Sequence, residues 1–154
     1  MVRPLPSGVE HEPRVAWRPG VETRIHVSAS RGSTALCVME QWCAPRAGAP
    51  IHTHSVEEVI AVIAGAADVW IDGVTEHVDA GGAIVIPPES RHGFQNAGDG
   101  ELHTLAIFAS ARPTVCYEHD PETVLEIGGS GERMLDAHRA YREPHVFDKE
   151  GETA

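Results

Sequence analysis

The sequence predicts an all-β protein, a small antiparallel barrel or sandwich, and three observations carry that reading. Short segments rich in Val, Ile, Thr and Trp recur along residues 14–118, separated by Gly, Pro and Asp-Gly punctuation. None of the intervening stretches has the length and apolar period of a helix. The 154 residues match the size of one domain rather than two.

Residues 1–33 read as an N-terminal extension, rich in proline at its start and carrying edge strands over 14–18 and 24–30. The barrel is expected over 34–118, with strands at 35–43, 51–54, 58–63, 67–71, 75–78, 83–87 and 102–110, and a closing one over 114–118. Asp72-Gly73 between two such segments is a strong hairpin signal, because both central positions of that turn need positive φ. Gly65 and Gly81-Gly82 mark further turns. Residues 119–154 form an acidic tail with a turn at His119-Asp120-Pro121 and a flexible Gly-Gly-Ser-Gly joint at 128–131. The tail has room for one short helix over 132–141, stopped before Pro144.

Acidic residues outnumber basic ones 23 to 12, a net charge of −11, which makes nucleic acid a poor partner. Residues 118–154 alone hold ten acids and four bases, so over half the imbalance is in the tail. The single lysine, Lys149, argues against Schiff-base chemistry in a buried site. Cys37, Cys43 and Cys116 are an odd set without close pairs, which points to a reduced, cytoplasmic compartment rather than a disulfide framework. No apolar run approaches the roughly 20 residues of a membrane span, and the first residues lack the apolar stretch of a signal peptide. Nucleophile-elbow, phosphate-loop and dinucleotide fingerprints are also absent, setting aside serine-triad hydrolases, NTPases and nicotinamide enzymes.

The chemistry concentrates in two stretches. His52 and His54 are two apart, so in a strand both point to the same side. Glu58 shares its parity with Ile60 and Val62, an apolar set that faces the interior, where a lone carboxylate is costly unless a cation compensates it. His92 follows a strand and a proline-led turn 34 residues later, and can return to the same cavity. Three imidazoles and one carboxylate suit one divalent transition ion and are too nitrogen-rich for Mg or Ca.

At these residues the chain resembles the cupin superfamily. The first cupin motif ends on His-x-His, three or four residues, Glu, six residues and Gly, matched by His52, His54, Glu58 and Gly65. Gly81, Pro87, His92 and Asn96 fall on the second motif. Arg46 and Glu89 stand where the two motifs have glycine, and Glu89 carries a steric cost if its φ is positive. The resemblance covers about half of the chain, residues 35–110, and implies a jelly-roll barrel that binds metal through His52, His54, Glu58 and His92. Single-domain cupins include dioxygenases, isomerases, lyases, decarboxylases and polyketide cyclases, and some only bind sugars or effectors. They often pair through N-terminal strands, so a homodimer is expected.

Four donors leave two positions of an octahedron open, which is what a catalytic ion needs. The first expectation is an Fe(II) dioxygenase acting on a small enolisable or aromatic oxygenated molecule. A redox-neutral enzyme using Mn, Ni, Zn or Fe, or a binding module, is the alternative; Cu also suits the donors. Two further residues are candidates for proton transfer or substrate contact. His103 serves if its parity, shared with Leu105 and Ile107, faces inward; His26 has similar status. Gln41 serves if Met39 and Gln41, rather than Glu40 and Trp42, face the cavity; spacing does not choose between them. Trp70 and Phe94 read as core or pocket wall, Glu57, His77 and Arg91 as outward, and Cys116 and Tyr117 as structural.

Overall fold

The computed structural model describes residues 13–128. The proline-rich start over 1–12 and the helix expected over 132–141 lie outside them. Two antiparallel sheets of six strands face each other. In spatial order, the first holds β1 (Val15–Arg18), β2 (Val21–Val27), β3 (Cys37–Cys43), β10 (Leu102–Phe108), β5 (Glu58–Ala64) and β8 (Ala83–Ile86). The second holds β12 (Val124–Glu126), β11 (Thr114–Tyr117), β4 (Gly48–Thr53), β9 (His92–Asn96), β6 (Ala66–Ile71) and β7 (Val74–Asp79). The chain crosses repeatedly from one sheet to the other, which is the jelly-roll form of a β-barrel. Among the described residues there is no α-helix, and no helix long and apolar enough to cross a membrane.

Period-two burial decides which side chains reach the interior. On β10, Leu102, Thr104, Ala106 and Phe108 are buried, while His103, Leu105 and Ile107 take the outer face. Strand β3 pairs with β10 so that Gln41 lies opposite Thr104 and Met39 opposite Ala106. That register puts Met39 and Gln41 on the inner face. The core joins these positions to Ile60, Val62, Val69 and Phe94 from both sheets.

The Asp72-Gly73 turn has the expected positive φ at both residues, 44° and 97°, and pairs Ile71 with Val74. Gly48 fills a different need: a Cβ there would lie 1.9 Å from the carbonyl oxygen of Phe94, so only glycine lets β4 approach β9. Arg46 and Glu89, the two residues that replace motif glycines, both sit in the left-handed region, with φ of 66° and 63°.

Four features differ from the sequence expectation. Strand β9 was not anticipated, because its buried positions are His92, Phe94 and Asn96 and the segment looks polar. Strand β2 begins earlier, at Val21, and gives way to a single 3-10 turn at Ala29–Arg31. It pairs along β3 from Val21 opposite Cys43 to Val27 opposite Val38, so the N-terminal strands are part of the barrel wall. Beyond residue 118 the chain adds β12 against β11 and buries Ile127.

Candidate metal centre

The second sheet supplies three imidazoles and the first supplies the carboxylate. His52 lies near the end of β4, where a bulge between Ala49 and His52 re-aims the strand, and it pairs directly with His92 at the start of β9. His54 follows β4 by one residue. Its carbonyl accepts the N–H of Glu89 at 2.8 Å, which ties the Pro87–Ser90 turn to the first motif. Glu58 opens β5 opposite Phe108 of β10. All four side chains are buried, and one donor atom of each lies within 4.8 Å of the other three.

Each imidazole is oriented by its other nitrogen. Nδ1 of His52 donates to the carbonyl of Pro50 at 2.6 Å, that of His54 to Thr114 at 2.6 Å, and that of His92 to Ser90 at 2.8 Å. A carbonyl only accepts, so in the neutral rings Nδ1 carries the hydrogen and Nε2 is left bare. The bare atoms then meet. Nε2 of His52 is 3.1 Å from Nε2 of His54, and Glu58 Oε2 is 2.9 Å from Nε2 of His92 and 3.2 Å from that of His54. First-row ions bind such donors at about 2.1 Å, which places adjacent octahedral donors ~3.0 Å apart. The spacing and the converging lone pairs fit one divalent cation.

Electrostatics point the same way. Burial first, then the neighbouring His92 and His54, hold the His52 imidazole well below its usual value, so it stays neutral and free to ligate. Burial also opposes protonation of His54, but the hydrogen bond and charge of Glu58 prevail and raise it. Burial alone would raise the Glu58 carboxyl, yet the neighbouring His54 and His92 rings bring it down to about 2.

The cluster opens into a pocket of about 360 Å³, its solvent-filled mouth included. Trp17, Ile60, Phe94, Phe108 and Val115 form apolar walls, and Arg18, Gln41 and Tyr117 add polar groups. Gln41 thus does face the cavity. It is buried, and its amide donates to Thr23 Oγ1 at 3.3 Å.

His103 does not face it. Its parity is outward: Nε2 pairs with Glu40 Oε2 at 2.9 Å, and the ring stacks on Trp42 with centroids 4.9 Å apart. The expectation that His103 moves protons or contacts substrate in the cavity is therefore corrected. His26 joins the same outer group through Glu40 Oε1. Phe94 is a pocket wall, whereas Trp70 packs with Ile51 away from the pocket. Glu57, His77 and Arg91 are exposed, as expected.

Arg18 and Tyr117 were missed. Tyr117 pairs with His52 across β11 and β4, with ring centroids 5.6 Å apart, so it overhangs the cluster rather than merely ending a strand. Arg18 donates from Nε to the Gly48 carbonyl at 2.5 Å and from Nη1 to Tyr117 Oη at 3.4 Å. Neither residue carries a local signal, because closure of the barrel brings 18, 48 and 117 together.

Fold and donor set define a jelly-roll barrel with a His-His-Glu-His metal-binding group. Residues 40–108, just under half of the chain, match the family model for the cupin domain. The chain is 34% identical over 97 residues to the polyketide synthase CurC of Streptomyces cyaneus, a match covering 63% of this chain and 61% of the relative. Among solved structures it resembles the Bacillus subtilis oxalate decarboxylase OxdC, at 20% identity and a TM-score of 0.64, over 71% of this chain and 31% of that one. KdgF from Halomonas sp. is similar at 19% identity and a TM-score of 0.57, over 65% of this chain and 88% of that one. Those two likenesses are of fold.

Proposed function

We propose that the protein is a metal-dependent enzyme acting on a small, enolisable, oxygen-rich substrate of polyketide type by redox-neutral proton transfer or ring closure. The observation that carries this reading is the convergence of three bare imidazole nitrogens and a buried carboxylate at the base of a mainly apolar pocket. Similarity to CurC, itself named a polyketide synthase, supports the substrate class. When bound by His52, His54, Glu58 and His92, a divalent cation supplies Lewis-acid polarisation of a carbonyl or enol oxygen. Trp17, Phe94 and Phe108 offer flat apolar walls that exclude water and favour a planar conjugated ring. The Tyr117 hydroxyl, beside the cluster, is placed to hold or return a proton, and the Gln41 amide to orient a carbonyl.

Iron(II)-dependent dioxygenation of the same substrate class is the second reading, favoured by a four-donor set that leaves two octahedral positions open. One assay tests both. Metal-loaded protein is incubated with a panel of β-diketones and hydroxylated aromatic ketones, and products are read by mass. Rearranged products of unchanged mass, or products short of water, fit redox-neutral chemistry; gain of two oxygen atoms fits dioxygenation. No turnover across the panel by fully loaded protein contradicts the enzymatic reading.

A further inference from the structure

Arg18 is the one arginine or lysine lining the pocket among the described residues, and its surroundings are unusual for a cation. Its hydrogen-bond partners, the Gly48 carbonyl and the Tyr117 hydroxyl, are both neutral. Three exposed arginines pair with carboxylates, Arg14 with Glu22 and Glu101, Arg91 with Glu118, and Arg112 with Glu126, while Arg24 lies over the Trp42 ring on the outer face. No described carboxylate forms an ion pair with Arg18, and most of its N–H donors have no protein acceptor among the described residues. A half-buried charge left this way is costly unless a ligand supplies the counter-charge.

Charge inside the pocket sharpens the point. Among the described residues, Glu58 is the sole carboxylate lining it. With a divalent cation seated, the ion at +2, Arg18 at +1 and Glu58 at −1 sum to +2, inside a chain whose net charge is −11. A positive, partly desolvated cavity within an acidic protein selects anions. Resting on the metal-enzyme reading above, we infer that Arg18 anchors an anionic oxygen of the substrate, an enolate, phenolate or carboxylate, through charge-assisted hydrogen bonds beside Tyr117. The site therefore takes ionised, planar oxygen compounds in preference to their neutral analogues. Arg18 acts as a binding and specificity residue. Its Nε bond to Gly48 fixes the guanidinium to a strand position that tolerates no side chain.

The test uses the full chain loaded with Mn(II), its metal content measured, and calorimetric titration with salicylate and its neutral analogue salicylamide. Wild-type protein is expected to bind salicylate about tenfold or more tightly than salicylamide. Arg18→Gln should lose that preference while keeping its metal content and circular dichroism spectrum; Arg18→Lys should retain part of it. Because the metal itself attracts salicylate, the titrations are repeated on metal-free protein, where a weaker preference should persist in wild type and vanish in Arg18→Gln. An unchanged preference in Arg18→Gln overturns the inference. Should that variant fail to fold, equal affinities of metal-free wild type for the two probes overturn it instead. If wild type takes up no metal, the reading above fails separately, and the metal-free titrations still decide the role of Arg18.

Discussion

Two groups of histidine and glutamate lie on opposite sides of one sheet, and they satisfy their hydrogen bonds in opposite ways. Outside, His26 and His103 each direct Nε2 at a different oxygen of Glu40, at 2.5 and 2.9 Å, so two imidazoles and one carboxylate complete each other. Those hydrogen bonds prevail over burial and hold the Glu40 carboxyl below its usual value. Inside, three imidazoles spend their Nδ1 hydrogens on backbone carbonyls and gather their Nε2 atoms in one place, two of them beside Glu58 Oε2 and the third, of His52, beside that of His54. The outer group is complete as it stands, and the inner one is short of positive charge. Residue type does not separate an ion pair from a metal centre; the convergence of three ring nitrogens and a carboxylate on one point does.

Substitution breaks the contrast most sharply. His92→Ala should drop bound metal from about one ion per chain to near none by elemental analysis, since each ligand and its geometry set the affinity. His103→Ala should leave metal content unchanged and cost about 1 kcal/mol in urea unfolding, the loss of one hydrogen bond and a ring contact. Removing the metal comes next. A chelator should lower the melting temperature of wild type and of His103→Ala by roughly 5–10 °C, as expected for a ligand held at about a hundred times its Kd. The same chelator should leave His92→Ala unmoved.

Acid gives a smaller, graded effect on the inner group. His54 is held above 6.5 by Glu58 in the metal-free protein, so protons compete for its Nε2 from above that pH downward. Metal affinity should therefore fall steadily with pH through this range, measured by competition with a chromophoric chelator. In metal-free protein the two histidines oppose each other. The raised His54 contributes stability fully below 6.5 and loses it as pH rises through its folded value; the lowered His52 disfavours folding below 6.5. Thermal stability of the metal-free protein should therefore be greatest near 6.5 and decline on either side. It should then fall between 4.5 and about 2, as Glu58 loses the advantage of its lowered pKa. The smallest effect concerns backbone strain at Glu89, whose N–H bonds the His54 carbonyl, and at Arg46. Glu89→Gly and Arg46→Gly each relieve a positive φ and should stabilise by about 0.5–1 kcal/mol, the left-handed cost less the added freedom of the unfolded glycine chain. Urea midpoints check this.

The inner group was legible in the sequence because its four residues keep fixed spacings across two motifs, and strand parity aims them. Asp72-Gly73 was legible for a similar reason, as a local turn requirement. What local spacing did not show was anything set by pairing between distant strands. Gln41 and His103 could be assigned only once Gln41 was found opposite Thr104 and His103 opposite Trp42, one pair facing in and the other out. Strand β9 escaped because its buried face is built of His92 and Asn96 as well as Phe94. The Asn96 amide is fully engaged there, donating to the carbonyls of Cys43 and Gly100 and accepting from the N–H of Gly98. Arg18 and Tyr117 escaped because barrel closure, not sequence proximity, delivers them to the mouth of the site.

The most direct measurement is a crystal structure of the full chain grown with Mn(II), with anomalous data collected to locate the ion. A single strong peak centred among Nε2 of His52, His54 and His92 and a carboxylate oxygen of Glu58, with none beside Glu40, is the expected result. An empty inner group at saturating metal, or a peak between Glu40 and His103 instead, would contradict the account.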